Sequence, residues 1–309
     1  MKADGSLKVI LAALIGNGLI AIAKFTGSIY TGSSAMLSEA IHSLVDTGNQ
    51  GLLLYGMKRA KRPADARHPF GYGGEIYFWA FVVAVLIFAG GAGFSIYEGL
   101  HKLKHPEPMT DIFINYIILS AAIVFEGGAW YVAYKEFNKT RGEVGYVTAI
   151  RGSKDPRIFT VLLEDTGAML GLIVAMVGIA IADATGLAWV DGATSIVIGL
   201  ILAGIAIILC IECKGLLIGE AAAPDITDKI KATLTEISDV ASVNEVLTVH
   251  FGPEDVLVNI SLDFKRGLTT GTIETTVTKL ETLLKDREPH IKRIFIEVQD
   301  KAEHLGESD

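Results

Sequence analysis

Residues 34–57, SAMLSEAIHSLVDTGNQGLLLYGM, are long and apolar enough to cross a bilayer, yet they carry Glu39, His42 and Asp46 at i, i+3 and i+7. A spanning helix needs about 20 mainly apolar residues. An ionisable group inside one is costly, so each is a functional candidate until a structural partner explains it. At helical spacing the three share one face within two turns, and Asn49 continues that face. An imidazole and a carboxylate at i, i+4 can hold one cation from a single helix, as two His at that spacing hold zinc. A buried polar seam can also do no more than glue helices together, but glue seldom needs two carboxylates and a His at once.

Working outward, the rest of the 309-residue chain has the same character, with 50% hydrophobic residues and a mean hydropathy of +0.44. That is too apolar for an ordinary soluble domain. Further apolar runs at roughly 7–30, 76–100, 112–134, 158–182 and 190–213 bring the expected spans to six. None reads as a cleaved signal peptide, since the first run is too long and lacks a small-residue cleavage site. Lys and Arg concentrate in two loops: Lys58, Arg59, Lys61, Arg62 and Arg67 in one, and Lys135, Lys139, Arg141, Arg151, Lys154 and Arg157 in the other. The opposite side offers only Lys102 and Lys104. The positive-inside rule therefore puts both loops and both termini in the cytoplasm, and a multi-pass protein of a bacterial inner membrane is expected.

After Gly219 the composition changes, which divides the chain into a transport domain over 1–219 and a cytoplasmic domain over 220–309. Asp225–Ser238 and Thr272–Arg287 have helical stripes, the first through Ile226, Ile230, Leu234 and Ile237. Val243–His250, Val256–Phe264 and Ile291–Val298 alternate as strands, with a turn at Gly252-Pro253. The order helix-strand-strand-helix-strand suggests an α+β ferredoxin-like domain. The net charge of −8 lies wholly in this tail, where 10 basic face 18 acidic residues. Nucleic acid is excluded as a partner, because phosphate contacts need clustered Lys and Arg. Two Cys exclude a disulfide framework.

A second polar cluster interrupts the fifth run at Leu163-Glu164-Asp165-Thr166. Near the membrane surface these carboxylates would be solvated or paired with Lys154 and Arg157. Inside the membrane, Glu164 and Asp165 with His42 and Asp46 make a four-ligand N/O set from two helices, suited to a borderline divalent cation. Weaker candidates are Asn17 and Lys24 in the first run, Glu126 beside Gly127-Gly128 in the fourth, and Asp191, which opens the sixth and can cap it. Lys24 fits a carboxylate better than a cationic substrate, since an ammonium repels cations. Cys210 and Cys213 lack further ligands and read as packing; His101 and His105, following Glu98, read as an exposed helix end. Gly167-x-x-x-Gly171 is a close-packing motif that says nothing about substrate.

Four stretches together resemble the cation diffusion facilitator family of zinc and related divalent-metal transporters, near its animal zinc transporter nine branch. They are Gly32 to Asp46, His68-Pro69-Phe70-Gly71-Tyr72-Gly73, Leu163-Glu164-Asp165 with Gly167, and Leu216-Leu217-Ile218-Gly219-Glu220 ahead of Pro224. The resemblance implies six transmembrane helices with a ferredoxin-like tail, and a homodimer in the lipid bilayer that exports Zn2+ in exchange for protons by alternating access. It implies no enzymatic activity and no organic cofactor; Zn2+ is the transported substrate. His42, Asp46 and Asp165 match the transport-site positions of the family. The fourth position, one turn before Asp165, is Val161, so Glu164 is joined by Glu126, Asn17 and Glu39 as alternatives. Tyr72 stands where the family's second loop His falls, which weakens a metal site built from Asp65 and His68. In the tail, Asn244, Ser261 and Val298 stand where several members place metal-binding His, although Asp300 remains. Alternatives are an exporter of Mn2+, Fe2+ or Co2+, an intramembrane metalloenzyme, and a non-transporting metal-binding protein.

Overall fold

The structure, a computed structural model, describes residues 3–306; side chains are described from Asn17 onward, Thr140 excepted. The side chains of 7–16, in the expected first span, thus lie outside the described residues. The apolar runs form long helices: α1 (Ala3–Thr31), α2 (Ser34–Ala60), a helix of three parts, α5 (Ile112–Arg141), α7 (Pro156–Thr185) and α8 (Trp189–Leu217). The three-part helix is α3 (Glu75–Leu86), a π-helical turn (Ile87–Gly93) and α4 (Phe94–Lys104). Short α6 (Tyr146–Gly152) precedes α7. Among the described residues, four of these are long and apolar enough to cross a membrane: Glu75–Lys104, Ile112–Lys139, Pro156–Thr185 and Trp189–Leu217.

Burial in these helices is inverted relative to a water-soluble protein. Lys24, Glu39, Asn49, Asn115 and Asp191 are fully buried, while Ile29 is 80% and Val124 78% exposed. Large apolar side chains lie outside as well as inside, and the buried polar ones suit a lipid solvent, where unsatisfied polar groups cost most.

The helices are tied by polar contacts that the sequence hides. Asp191, at the start of α8, does not cap its own helix: it caps α2. Its carboxylate accepts from the backbone N–H groups of Ser34 (2.6 Å) and Ala35 (3.2 Å) and from the hydroxyls of Ser33 (2.7 Å) and Ser34 (2.9 Å). A negative cap here satisfies orphan donors and complements the helix dipole. Lys102 of α4 donates to Gly32 O at 2.8 Å, beside the same turn. Trp130 of α5 donates to Thr166 Oγ1 of α7 at 3.1 Å. Gly178 of α7 touches α8 so closely that a Cβ there would lie 2.0 Å from Thr194 Oγ1.

The chain divides into two units: Met1–Lys58 with Phe78–Lys214, and Arg59–Tyr77 with Gly215–Asp309. The second contains α9 (Pro224–Thr235), β1 (Val240–Gly252), β2 (Asp255–Phe264), α10 (Thr270–Arg287), β3 (Ile291–Val298) and α11 (Lys301–Leu305). The sheet order is β1-β2-β3, with β1–β2 antiparallel and β2–β3 parallel. Alternate β2 residues Val256, Val258, Ile260 and Leu262 are fully buried and form one core with Ile230 and Leu234 of α9 and Leu280 and Leu284 of α10. This is the period-two signature of a sheet covered on one face. The loop segment of this unit packs on β1: Phe70 stacks on Phe251, centroids 4.8 Å apart and planes 6° off parallel.

Candidate metal centre

Helix α2 carries Glu39, His42, Asp46 and Asn49 down one face, and all but Asp46, which is 16% exposed, are buried. His42 Nδ1 lies 3.5 Å from Asp46 Oδ1, one helical turn away. Among the described residues, neither ring nitrogen of His42 has a hydrogen-bond partner, nor does Asp46 Oδ1. Buried polar atoms are nearly always paired, and leaving one unpaired costs about 1–3 kcal/mol. Three such atoms lie together on this face of α2.

Helix α7 joins this face through Asn49, whose Nδ2 donates to Glu164 Oε1 at 2.8 Å. Glu164 is only 5% exposed, so it is an interior group and not a solvated one. Arg157 is turned instead to Asp155, with Nε 2.7 Å from Oδ1, at the first turn of α7. Asp165 is half-buried on the adjacent face. The charges of Glu164, Glu126 and Asp165 all act on Asp46, and that of Lys24 opposes them. Glu126 is buried on α5, whereas Asn17 on α1 is half-buried. Glu164, Asp165 and Glu126 thus lie within electrostatic reach of Asp46, which adjoins His42. Even so, among the described residues no three His, Cys, Asp or Glu side chains are drawn together as a finished metal cage.

Some features of the centre escape sequence reasoning. The π-helical turn sets Gly91 against His42: a Cβ there would lie 4.0 Å from His42 Nδ1 and 3.3 Å from Leu202 Cδ1. Such turns are frequent at functional sites, and IFAGGAG carries no sign of one beyond its glycines. Thr160, the neighbour of Val161, buries a hydroxyl without a hydrogen-bond partner. Glu39 is held by Lys24, Nζ 3.1 Å from Oε2, as expected of a lysine in an apolar run.

Elsewhere the weaker sequence signals stay weak. Cys213 is fully buried and Cys210 half-buried, both free thiols. His101 and His105 are exposed, their rings 5.3 Å apart. In the loop, Tyr72 donates to Asp65 Oδ2 at 2.6 Å, its ring packed between His68 (4.3 Å) and the Arg62 guanidinium (4.4 Å). That hydrogen bond, with those from the His68 and Arg67 backbone, holds the Asp65 carboxyl at about 2, well below the usual range. In the tail, Asn244 Nδ2 donates to Gln299 O at 2.9 Å and to Ser261 Oγ at 3.3 Å.

The family model for the cation efflux transmembrane domain matches residues 10–218. The chain belongs to the cation efflux family. The cation efflux family is one of transporters and not of enzymes, which counts against the metalloenzyme alternative. Among its relatives are the mitochondrial proton-coupled zinc antiporters SLC30A9 of Mus musculus and Homo sapiens, each 34% identical over 262 residues, 84% of this chain and 46% of the relative. Metal tolerance protein C4 of Arabidopsis thaliana is 30% identical over 84% of this chain and 57% of its own length. The metal cation efflux system protein CzcD of Cupriavidus metallidurans is 29% identical over 64% of this chain and 56% of its own. The chain thus spans about half the length of the curated relatives it matches. The resemblance to cation diffusion facilitators near the zinc transporter nine branch is borne out.

Proposed function

We propose that this cation efflux protein exports a divalent cation, Zn2+ by preference, in exchange for protons, by alternating access at a site built from His42, Asp46, Asp165 and Glu164. One observation carries this: buried nitrogen and oxygen atoms of His42 and Asp46, without hydrogen-bond partners among the described residues, lie on the same face of α2 as Asn49, which is bonded to Glu164 of α7. Imidazole with carboxylate is a borderline donor set, which favours Zn2+ over oxygen-seeking Ca2+ or Mg2+. The zinc antiporter names of the SLC30A9 relatives agree with that chemistry.

The metal competes with protons for the same lone pairs, so cation and protons bind in turn. Cytoplasmic metal binds the deprotonated site; protons from the far side release it and reset the carrier. Glu126, Asn17 and Glu39 are reserve ligands. The proposal includes six spans, with α1 and α2 joining the four apolar helices, and a ferredoxin-like tail. It places both termini in the cytoplasm, divides the chain at 1–219 and 220–309, and pairs two copies in a bacterial inner membrane.

Purified protein in proteoliposomes with an inward proton gradient should take part in zinc-dependent proton flux, and Asp46→Ala or His42→Ala should abolish it. Full transport by Asp46→Ala would refute the assignment. Competition by Mn2+, Fe2+ and Co2+ in the same assay ranks the substrates.

A further inference from the structure

Lys24 and Glu39 form a buried ion pair next to the proposed transport site, and stability does not account for it. Both side chains are fully buried, with Lys24 Nζ 3.1 Å from Glu39 Oε2 and 2.8 Å from Ser43 Oγ. Burying two charges costs desolvation that their attraction often fails to repay, and well-packed apolar residues commonly serve a fold as well or better. The pair is also lopsided. Glu39 Oε1 has no hydrogen-bond partner. It points at Gly171 of α7, where a Cβ would lie 2.2 Å away, so the oxygen occupies space that only glycine leaves open.

The pair is placed to act on a cation. Glu39 is three residues from His42 on the same face of α2, and Ser43 is the residue after His42. The Lys24 charge reaches His42, Asp46 and Glu126 as well as Glu39. An ammonium close to a cation site disfavours the cation, whereas a carboxylate favours it, and both effects are screened less in a buried position than in water.

We propose that the Lys24–Glu39 pair sets the affinity of the site: Lys24 is a tethered counter-charge that weakens cation binding at His42 and Asp46, and Glu39 limits that repulsion by holding it. Neither residue need be a ligand. The pair keeps the site from retaining its ion, which an exporter must release on every cycle. This rests on the transport-site assignment above.

The test is equilibrium binding of radioactive Zn2+ to the full chain purified in detergent. Lys24→Gln leaves Glu39 unopposed and should tighten binding on the order of tenfold, whereas Glu39→Gln leaves Lys24 unopposed and should weaken it on the order of tenfold. The double variant Lys24→Gln with Glu39→Gln should return to within about threefold of wild type. A purely structural pair predicts otherwise: both single variants damage the protein alike and shift affinity in one direction or not at all. That outcome overturns the proposal. Should Lys24→Gln fail to fold, Glu39→Gln must still bind more weakly than the double variant, and equal affinities overturn the proposal. His42→Ala and Asp46→Ala, run in parallel, separate the two readings. If they bind as wild type does, the site assignment and this inference both fall; if they lose binding while the pair variants shift alike, only this inference falls.

Discussion

Replacing Asp191 by Ala should destabilise the helical unit, by an amount that can be worked from its four acceptor contacts. The carboxylate takes hydrogen bonds from Ser34 N, Ala35 N, Ser33 Oγ and Ser34 Oγ, at 2.6–3.2 Å, in a fully buried position. Two of the donors are not lost with it. Ser33 Oγ still accepts from Met36 N at 3.2 Å, and Ser34 Oγ lies 2.9 Å from Ser195 Oγ, so both hydroxyls keep a neighbour. The two backbone N–H groups have no such alternative, and an orphaned buried donor costs about 1–3 kcal/mol. With part of the cost falling in the range of a lost cap, about 0.5–2 kcal/mol, the total is roughly 4 kcal/mol. Asp191→Asn keeps one carbonyl oxygen but turns an amide toward the second donor pair, and should lose about half as much. In detergent, at roughly 2 °C per kcal/mol for a chain of this size, Tm should fall by about 8 °C for Ala and about 4 °C for Asn. Because α2 also carries His42 and Asp46, zinc affinity should fall with it. An Asp191→Ala protein melting within about 1 °C of wild type, or an Asn variant worse than Ala, would refute the capping account.

Two further outcomes follow from close contacts. Gly178→Ala should lower the stability of the helical unit by about 1–3 kcal/mol, because its Cβ would meet Thr194 Oγ1 at 2.0 Å while that hydroxyl is held by Val190 O at 2.8 Å; an unchanged melting curve would show the α7–α8 crossing to be looser. Tyr72→Phe should raise the midpoint of the Asp65 carboxyl from about 2 toward the ordinary 3.8, read by NMR titration of labelled aspartate. Since the folded value is depressed, the contribution of Asp65 to loop stability is present above the ordinary value and lost as pH falls through about 2. An Asp65 midpoint that Tyr72→Phe leaves in place would remove the hydrogen bond as its cause.

The C-terminal domain was legible because a covered sheet imposes period two on its strands. Ile291–Val298 is the strand in sequence and structure alike, and Thr272–Arg287 differs from α10 by two residues at one end. Neither the π-helical turn nor α6 announces itself, because a run such as IFAGGAG has no polar residue to mark a change of pitch. In the site, the shared face of Glu39, His42, Asp46 and Asn49 follows from spacing alone. The bond from Asn49 to Glu164 does not, because it joins residues 115 apart in the chain. Likewise the acidic side chain that opens α8 suggested a cap for that helix, and only the packing reveals that its donors are 156–158 residues away on α2.

The polar face of α2 is tied to other helices at its ends and has no such tie in its middle among the described residues. Near one end Glu39 is held by Lys24, and at the other Asn49 is held by Glu164, each across to a different helix. Between them His42 and Asp46 present nitrogen and oxygen atoms to one another without a hydrogen bond. A seam that served only to fasten helices would pair its central groups as well, since a polar group buried without a partner is costly. The observed pattern puts fastening at the ends and leaves the middle to a partner that comes and goes. Within a family of transporters, that division of labour lets the frame stay fixed while the bound species changes between cation and proton, and it places the affinity-setting charge of Lys24 where fastening and binding meet.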